Sequence, residues 1–110
     1  MSESKTTMWS AETTRQFVEA LVAIDSVQEM QNFLRDVMTE KEITAISARL
    51  EAARMLQAGA TYTDVAVKTK LSSRTIARIS DWMQNGCGGY ATVFSKIGDH
   101  HDHIPPARAV

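Results

Sequence analysis

From Ser10 onward, apolar residues recur at helical spacing, and no stretch alternates apolar with polar as a half-buried strand would. Phe17, Leu21 and Ile24 stand at i, i+4 and i+7, on one stripe of a helix from about residue 11 to 24. Asp25-Ser26 interrupts it. Val27, Met30, Phe33, Leu34 and Val37 then line one face of a second helix over 27–37. Ile43, Ile46, Leu50 and Ala53, with Leu56 or its neighbours, line a third over 40–57, which Gly59 is placed to C-cap. Three capping-box spacings mark helix starts: Ser26-x-x-Glu29, Thr39-x-x-Glu42 and Thr61-x-x-Asp64, where a side chain three residues away satisfies otherwise orphaned N–H groups. The expected fold is all-α, with five to six short helices.

The fourth helix is expected over about 62–68 and the fifth from Ser72 or Ser73, either of which can N-cap, to about Gln84. Two short helices joined by Thr69-Lys70-Leu71 form a helix-turn-helix. Val65, Leu71, Ile76 and Ile79 supply its apolar contacts and Ala66 permits close approach, while Thr69 and Lys70 depart from the apolar residue and glycine common in such turns. A last short helix is expected over 91–97. This gives a leader over 1–9, one helical domain over 10–97 and a disordered tail over 98–110 that carries Pro105-Pro106.

A chain of 110 residues fits one domain that buries roughly 60 to 70% of its unfolded surface. The longest apolar run, residues 20–24, is far short of the ~18 residues of a spanning helix and short for a signal-peptide core, so the expected compartment is the cytoplasm. One cysteine, Cys87, excludes an intrachain disulfide framework and a cysteine-based zinc site. The net charge of -1 argues against non-specific polyanion binding, yet it conceals a gradient. Residues 1–38 carry three Lys/Arg against six Asp/Glu, whereas residues 61–83 carry Lys68, Lys70, Arg74 and Arg78 against Asp64 and Asp81.

At 100° per residue, Ile76, Ile79 and Met83 share one face of the fifth helix, and Ser73, Arg74, Ala77 and Arg78 point the other way. Short residues flanked by guanidinium groups suit the major groove: a helix lies deep only where its contacting side chains are small, and arginine reaches guanine edges or phosphate. Ser72 and Ser73 can donate to phosphate at the helix N-terminus. The candidate DNA-contacting set is Thr63, Lys68, Lys70, Ser72, Ser73, Arg74, Thr75, Ala77 and Arg78. The same pattern also describes a solvated helix face, with an i, i+3 ion pair between Arg78 and Asp81 worth only ~0.2–0.5 kcal/mol. A helical dimeric protein-interaction module with a helix-turn-helix that does not bind DNA is the alternative.

From Thr39 to Tyr90 the sequence resembles the Trp repressor family. "TEKEITAISARLEAARMLQAGATYTDVA" is similar to that family's third helix and the first helix of its DNA-reading motif, and "LSSRTIARIS" to its recognition helix. Gly88-Gly89-Tyr90 is similar to a subgroup of Trp repressor-like proteins. The resemblance implies an intertwined homodimer in which residues 10–38 interlock with the partner, 39–60 form a central helix and 61–84 the helix-turn-helix. Two recognition helices would face a palindromic operator in double-stranded DNA, about 34 Å apart. Phe17, Leu21, Ile24, Met30, Phe33 and Leu34 offer more apolar surface than a small monomer covers, which agrees with a dimer.

In tryptophan-responsive members of that family, a threonine and two arginines hold the ligand. Thr39, Arg49 and Arg78 match them. Ile79 stands where glycine leaves room for the indole, and Trp82 where a serine contacts the amino group. Filling that volume opposes a ligand by ~1–3 kcal/mol or more, so the expectation is a pocket filled by Ile79 and Trp82 and a regulator that does not answer to tryptophan.

His100-His101-Asp102-His103 has metal-ligand chemistry, but its polar, proline-flanked setting favours a solvated tail, and no cofactor is expected. No histidine or other base stands near Cys87 in the sequence. There is also no phosphate-binding glycine loop after a strand, no HExxH and no nucleophile elbow, so an enzyme is not expected.

Overall fold

The structure is a computed structural model that describes residues 8–101, with side chains described from Met8 to Gly98. The start of the expected leader, 1–7, the end of the tail, 102–110, and the side chains of the His100 to His103 cluster lie outside the described residues. Among the described residues all regular structure is helical: α1 (Glu12–Ala23), α2 (Val27–Val37), α3 (Glu40–Gln57), α4 (Tyr62–Thr69), α5 (Ser73–Asn85) and α6 (Gly89–His101). Residues 8–10 already have helical backbone, ahead of the expected end of the leader. None of the described helices is long and apolar enough to cross a membrane.

Short-range hydrogen bonds set the helix starts where the spacing predicts them. The Ser26 hydroxyl accepts from the Glu29 N–H at 3.0 Å. At the start of α3 the exchange is reciprocal: Glu42 N–H donates to Thr39 Oγ1 at 3.1 Å, and Thr39 N–H donates to Glu42 Oε1 at 2.8 Å. Thr61 accepts from the Asp64 N–H. Each such cap is worth about 0.5–2 kcal/mol. α3 ends in a Schellman motif: Gly59 N–H donates to Leu56 O and Ala60 N–H to Met55 O, with Gly59 at φ 95°, a left-handed conformation that favours glycine.

The residues form two compact units, one ending at Ile43 and the other beginning at Thr44. In the first, α1 and α2 are joined by the Phe17–Phe33 ring contact, with centroids 6.4 Å apart, but neither helix has a buried residue. In the second, Ala52 and Ala53 of α3, Val65 of α4 and Ile76 and Ile79 of α5 are fully buried. Met55, Leu56, Ala66, Leu71, Met83, Tyr90 and Phe94 pack around them. Burying each of the three large side chains contributes about 1.5–3 kcal/mol.

Two expectations are corrected. The expected apolar face of α3 holds only in its second half: Ala53 is buried and Leu56 packs against the core as expected, but Ala52 is buried beside them while Ile46 and Leu50 are exposed. Small side chains let helix axes approach closely, and bulkier ones at those points would hold the helices apart. The last helix begins at Gly89 and continues past residue 97 to His101. Tyr90 and Phe94 pack against the core and stack on each other at 6.0 Å, so tertiary contact anchors a helix that Gly98 and the polar end of the chain would otherwise weaken.

Candidate nucleic-acid interface

α4 and α5 pack on each other as a helix-turn-helix, with Val65, Ile76 and Ile79 between them and Leu71 half-buried in the turn. Lys70 occupies the C-cap of α4 at φ 66° and ψ 14°, the left-handed conformation that such turns commonly give to glycine. For a residue with a Cβ this costs roughly 1–2 kcal/mol. Thr69 offsets part of it. Its hydroxyl donates to Val65 O at 2.7 Å and accepts from Leu71 N–H at 3.3 Å, and Lys70 N–H donates to Ala66 O at 2.9 Å. The two residues that depart from the usual turn thus close it by side-chain and backbone hydrogen bonds.

Of the two serines able to start α5, Ser72 is the cap. Its Oγ accepts from Thr75 N–H at 3.2 Å and donates to Thr75 Oγ1 at 3.1 Å. Both residues are candidate DNA contacts; Ser72 is exposed and Thr75 is half-buried. Ser73 is likewise exposed, beside the free N–H groups of the first turn.

Beyond the cap, α5 divides as its sequence predicts. Ile76 and Ile79 are buried, whereas Ser73, Arg74, Ala77 and Arg78 are exposed. Among the described residues no carboxylate forms an ion pair with Arg74, Arg78 or Lys70. The Arg78–Asp81 pair of the solvated-face reading does not form. Asp81 Oδ1 instead accepts from Asn85 Nδ2 at 2.9 Å. Thr63 and Lys70 are also exposed. Beyond α5, Gly86 is required by close approach, because a Cβ there would lie 2.4 Å from Trp82 O.

Lys68 differs from the other cations of this segment. Its Nζ stands 3.8 Å from Glu51 Oε2 on α3, and Arg54 grips the same carboxylate with both Nε (2.9 Å) and Nη2 (2.7 Å). The Arg54 hydrogen bond is the largest influence and, with the weaker pull of the Arg54 and Lys68 charges, holds the Glu51 carboxyl below the usual carboxylate range against the opposing effect of burial. Glu51 and Arg54 were not singled out from the sequence. The i, i+3 spacing hints at their pairing, but nothing local links Glu51 to Lys68.

The residues expected to form the effector pocket fall in both units. Ile79 is fully buried in the core of the second unit. Trp82 does not join it and is 46% exposed. Arg49 and Arg78 are exposed. Thr39 belongs to the first unit, and its hydroxyl is engaged by Glu42 as both donor and acceptor. Cys87 is an exposed free thiol, and no cluster of metal-ligating side chains occurs among the described residues.

This chain is similar to known proteins in sequence and in fold. The family model described as Trp repressor protein matches residues 12–97. The uncharacterized protein YerC of Bacillus subtilis (strain 168) is 29% identical over 82 residues, spanning 74% of this chain and 79% of YerC. A solved TrpR-like protein from Eubacterium eligens aligns with a TM-score of 0.79 at 34% identity, over 84% of this chain and 95% of that one. A Staphylococcus aureus structure, described as a candidate Trp repressor, aligns at 0.77 over 83% and 91% of the two chains. At 24% identity, that second likeness concerns the fold alone.

Proposed function

Because the chain belongs to the Trp repressor family, we propose that it is a cytoplasmic transcriptional repressor that reads a palindromic operator in the major groove as a homodimer, without tryptophan. The outer face of α5 carries this reading. Ile76 and Ile79 fix the helix from beneath, which leaves Arg74 and Arg78 exposed and, among the described residues, without carboxylate partners on either side of small Ala77. Arginine in that setting can donate two hydrogen bonds to guanine O6 and N7, while Ser73 and the free N–H groups of the first turn meet phosphate.

The first unit supports the homodimer. Phe17, Val18, Val22, Val27 and Val37 are exposed, and open apolar hollows lie beside Trp9 and Val18 and beside Ile24, Val27 and Met30. A second copy offering the same surface would cover them and set two heads about one DNA turn apart, roughly 34 Å. Ile79 supports independence from tryptophan, because its side chain already fills buried space. Trp82, half-exposed, contributes less to that argument.

Selection from random duplexes, followed by titration of the recovered sequence at several salt concentrations, tests the reading. A palindrome bound with a steep salt dependence is the expected result. Arg74→Ala should weaken binding by about 1–3 kcal/mol or relax one base position. Featureless, salt-insensitive recovery would favour the protein-contact module instead. Calorimetry should detect no saturable binding of L-tryptophan in the micromolar range.

A further inference from the structure

We infer that Glu51 is a resident competitor for DNA phosphate, occupying Lys68 so that DNA must displace a carboxylate before its backbone can pair with that lysine. The inference rests on the DNA-binding reading and adds a residue that sets the strength of the backbone contacts.

Three observations lead to it. Lys68 is on the first helix of the helix-turn-helix, the element that crosses the DNA backbone in such motifs. Of the four cations between residues 61 and 83, Lys68 alone is held by a carboxylate among the described residues. The two arms of the cluster also differ. Arg54 binds Glu51 through two nitrogens at 2.7 and 2.9 Å, one turn away on the same helix, whereas Lys68 reaches it only at 3.8 Å and from another helix.

The short, bidentate arm is the durable one, since a planar guanidinium matches a carboxylate and an ammonium is a mobile point charge. Arg54 therefore acts as a clamp that holds Glu51 in place, and Lys68 is the partner that exchanges. The Lys68 side chain is 65% exposed, so phosphate can reach it without rearrangement of the core. Each DNA phosphate that a lysine neutralises releases about 0.9 of a counterion. A carboxylate beside that lysine diminishes this benefit through competition and repulsion. Glu51 is thus a positioning residue that limits sequence-independent affinity while leaving base reading to α5.

Anisotropy titration of a labelled random duplex at several salt concentrations tests this with the full chain. Glu51→Gln should tighten binding about three- to tenfold at low salt and steepen the slope of log K against log salt by up to about 0.9. Glu51→Asp, which keeps the charge, should bind within about twofold of the wild type. The improvement should shrink to within about twofold when Glu51→Gln is made in a Lys68→Ala background, because the two residues act as a pair. Unchanged or weaker binding by Glu51→Gln would overturn the inference, as would an equal improvement in Glu51→Asp or in the Lys68→Ala background. A wild type that binds neither random nor selected duplexes would remove the DNA reading itself, an outcome distinct from wild-type binding with no response at residue 51.

Discussion

The two units of this chain are built from similar amphipathic helices, yet they treat apolar surface in different ways. From Thr44 onward, side chains of α3, α4 and α5 converge on a core that includes fully buried Val65, Ile76 and Ile79. Before it, α1 and α2 bring Phe17 and Phe33 into contact but leave Phe17 41% exposed and Val22 78% exposed. Sequence-level amphipathicity is alike in the two, so it does not reveal whether a helix is covered by its own chain. One unit is stabilised from within whereas the other leaves apolar surface exposed, which under the proposed function lets the first hold α5 rigid and the second meet another copy.

The strongest probe of this contrast is Ile76→Ala, which should cost about 2–5 kcal/mol in denaturant unfolding by removing buried methylenes from the head. That loss should not depend on protein concentration; a cost below about 0.5 kcal/mol, the range of ordinary surface changes, would show that the head lacks the rigidity assigned to it. Phe17→Ala should act differently. It should weaken self-association by about 1–2 kcal/mol, roughly a tenfold change in the dissociation constant measured by sedimentation equilibrium. A wild type that sediments as a monomer at all concentrations would erase this half of the comparison.

Smaller effects refine the picture inside the head. Lys70→Gly should raise stability by up to about 1 kcal/mol, since glycine adopts φ 66° without a Cβ penalty and offsets that benefit only partly by its greater unfolded-state entropy. Thermal melts would read the shift, and a lower melting temperature would point to an unrecognised contact of the Lys70 side chain. The Glu51 cluster should give the smallest change. Its carboxyl is depressed in the folded state, so its stabilisation is complete above the ordinary glutamate value of roughly 4.3 and is lost as pH falls through the lower folded value. Because Arg54 and Lys68 are more than half exposed, Glu51→Gln should flatten the acid limb of the stability curve by only about 0.2–1 kcal/mol. Urea titrations between pH 5 and the acid limb would measure it; parallel wild-type and variant curves would dissociate Glu51 from acid sensitivity.

Much of the architecture was legible because its determinants are local. The capping pairs Ser26 with Glu29, Thr39 with Glu42 and Thr61 with Asp64 each satisfy backbone donors within three residues, and a reader of the chain finds them by spacing alone. The 3.6-residue period likewise divides α5 into a buried side with Ile76 and Ile79 and an exposed side with Arg74 and Arg78. These are properties of a single helix and need no knowledge of its neighbours.

What tertiary structure alone decided are matters of partnership between elements. α3 has apolar residues on more than one side, and the close approach of other helices put Ala52 in the core beside the expected Ala53 while larger Ile46 and Leu50 stayed exposed. Packing of Tyr90 and Phe94 extended α6 beyond the point where composition suggested an end. Lys70 takes a left-handed conformation in the turn between α4 and α5, and Lys68 was brought to a glutamate seventeen positions earlier. Local hydrogen bonds specify where helices begin, but which faces meet, and which charges are thereby paired, depends on contacts between segments that spacing along the chain does not encode.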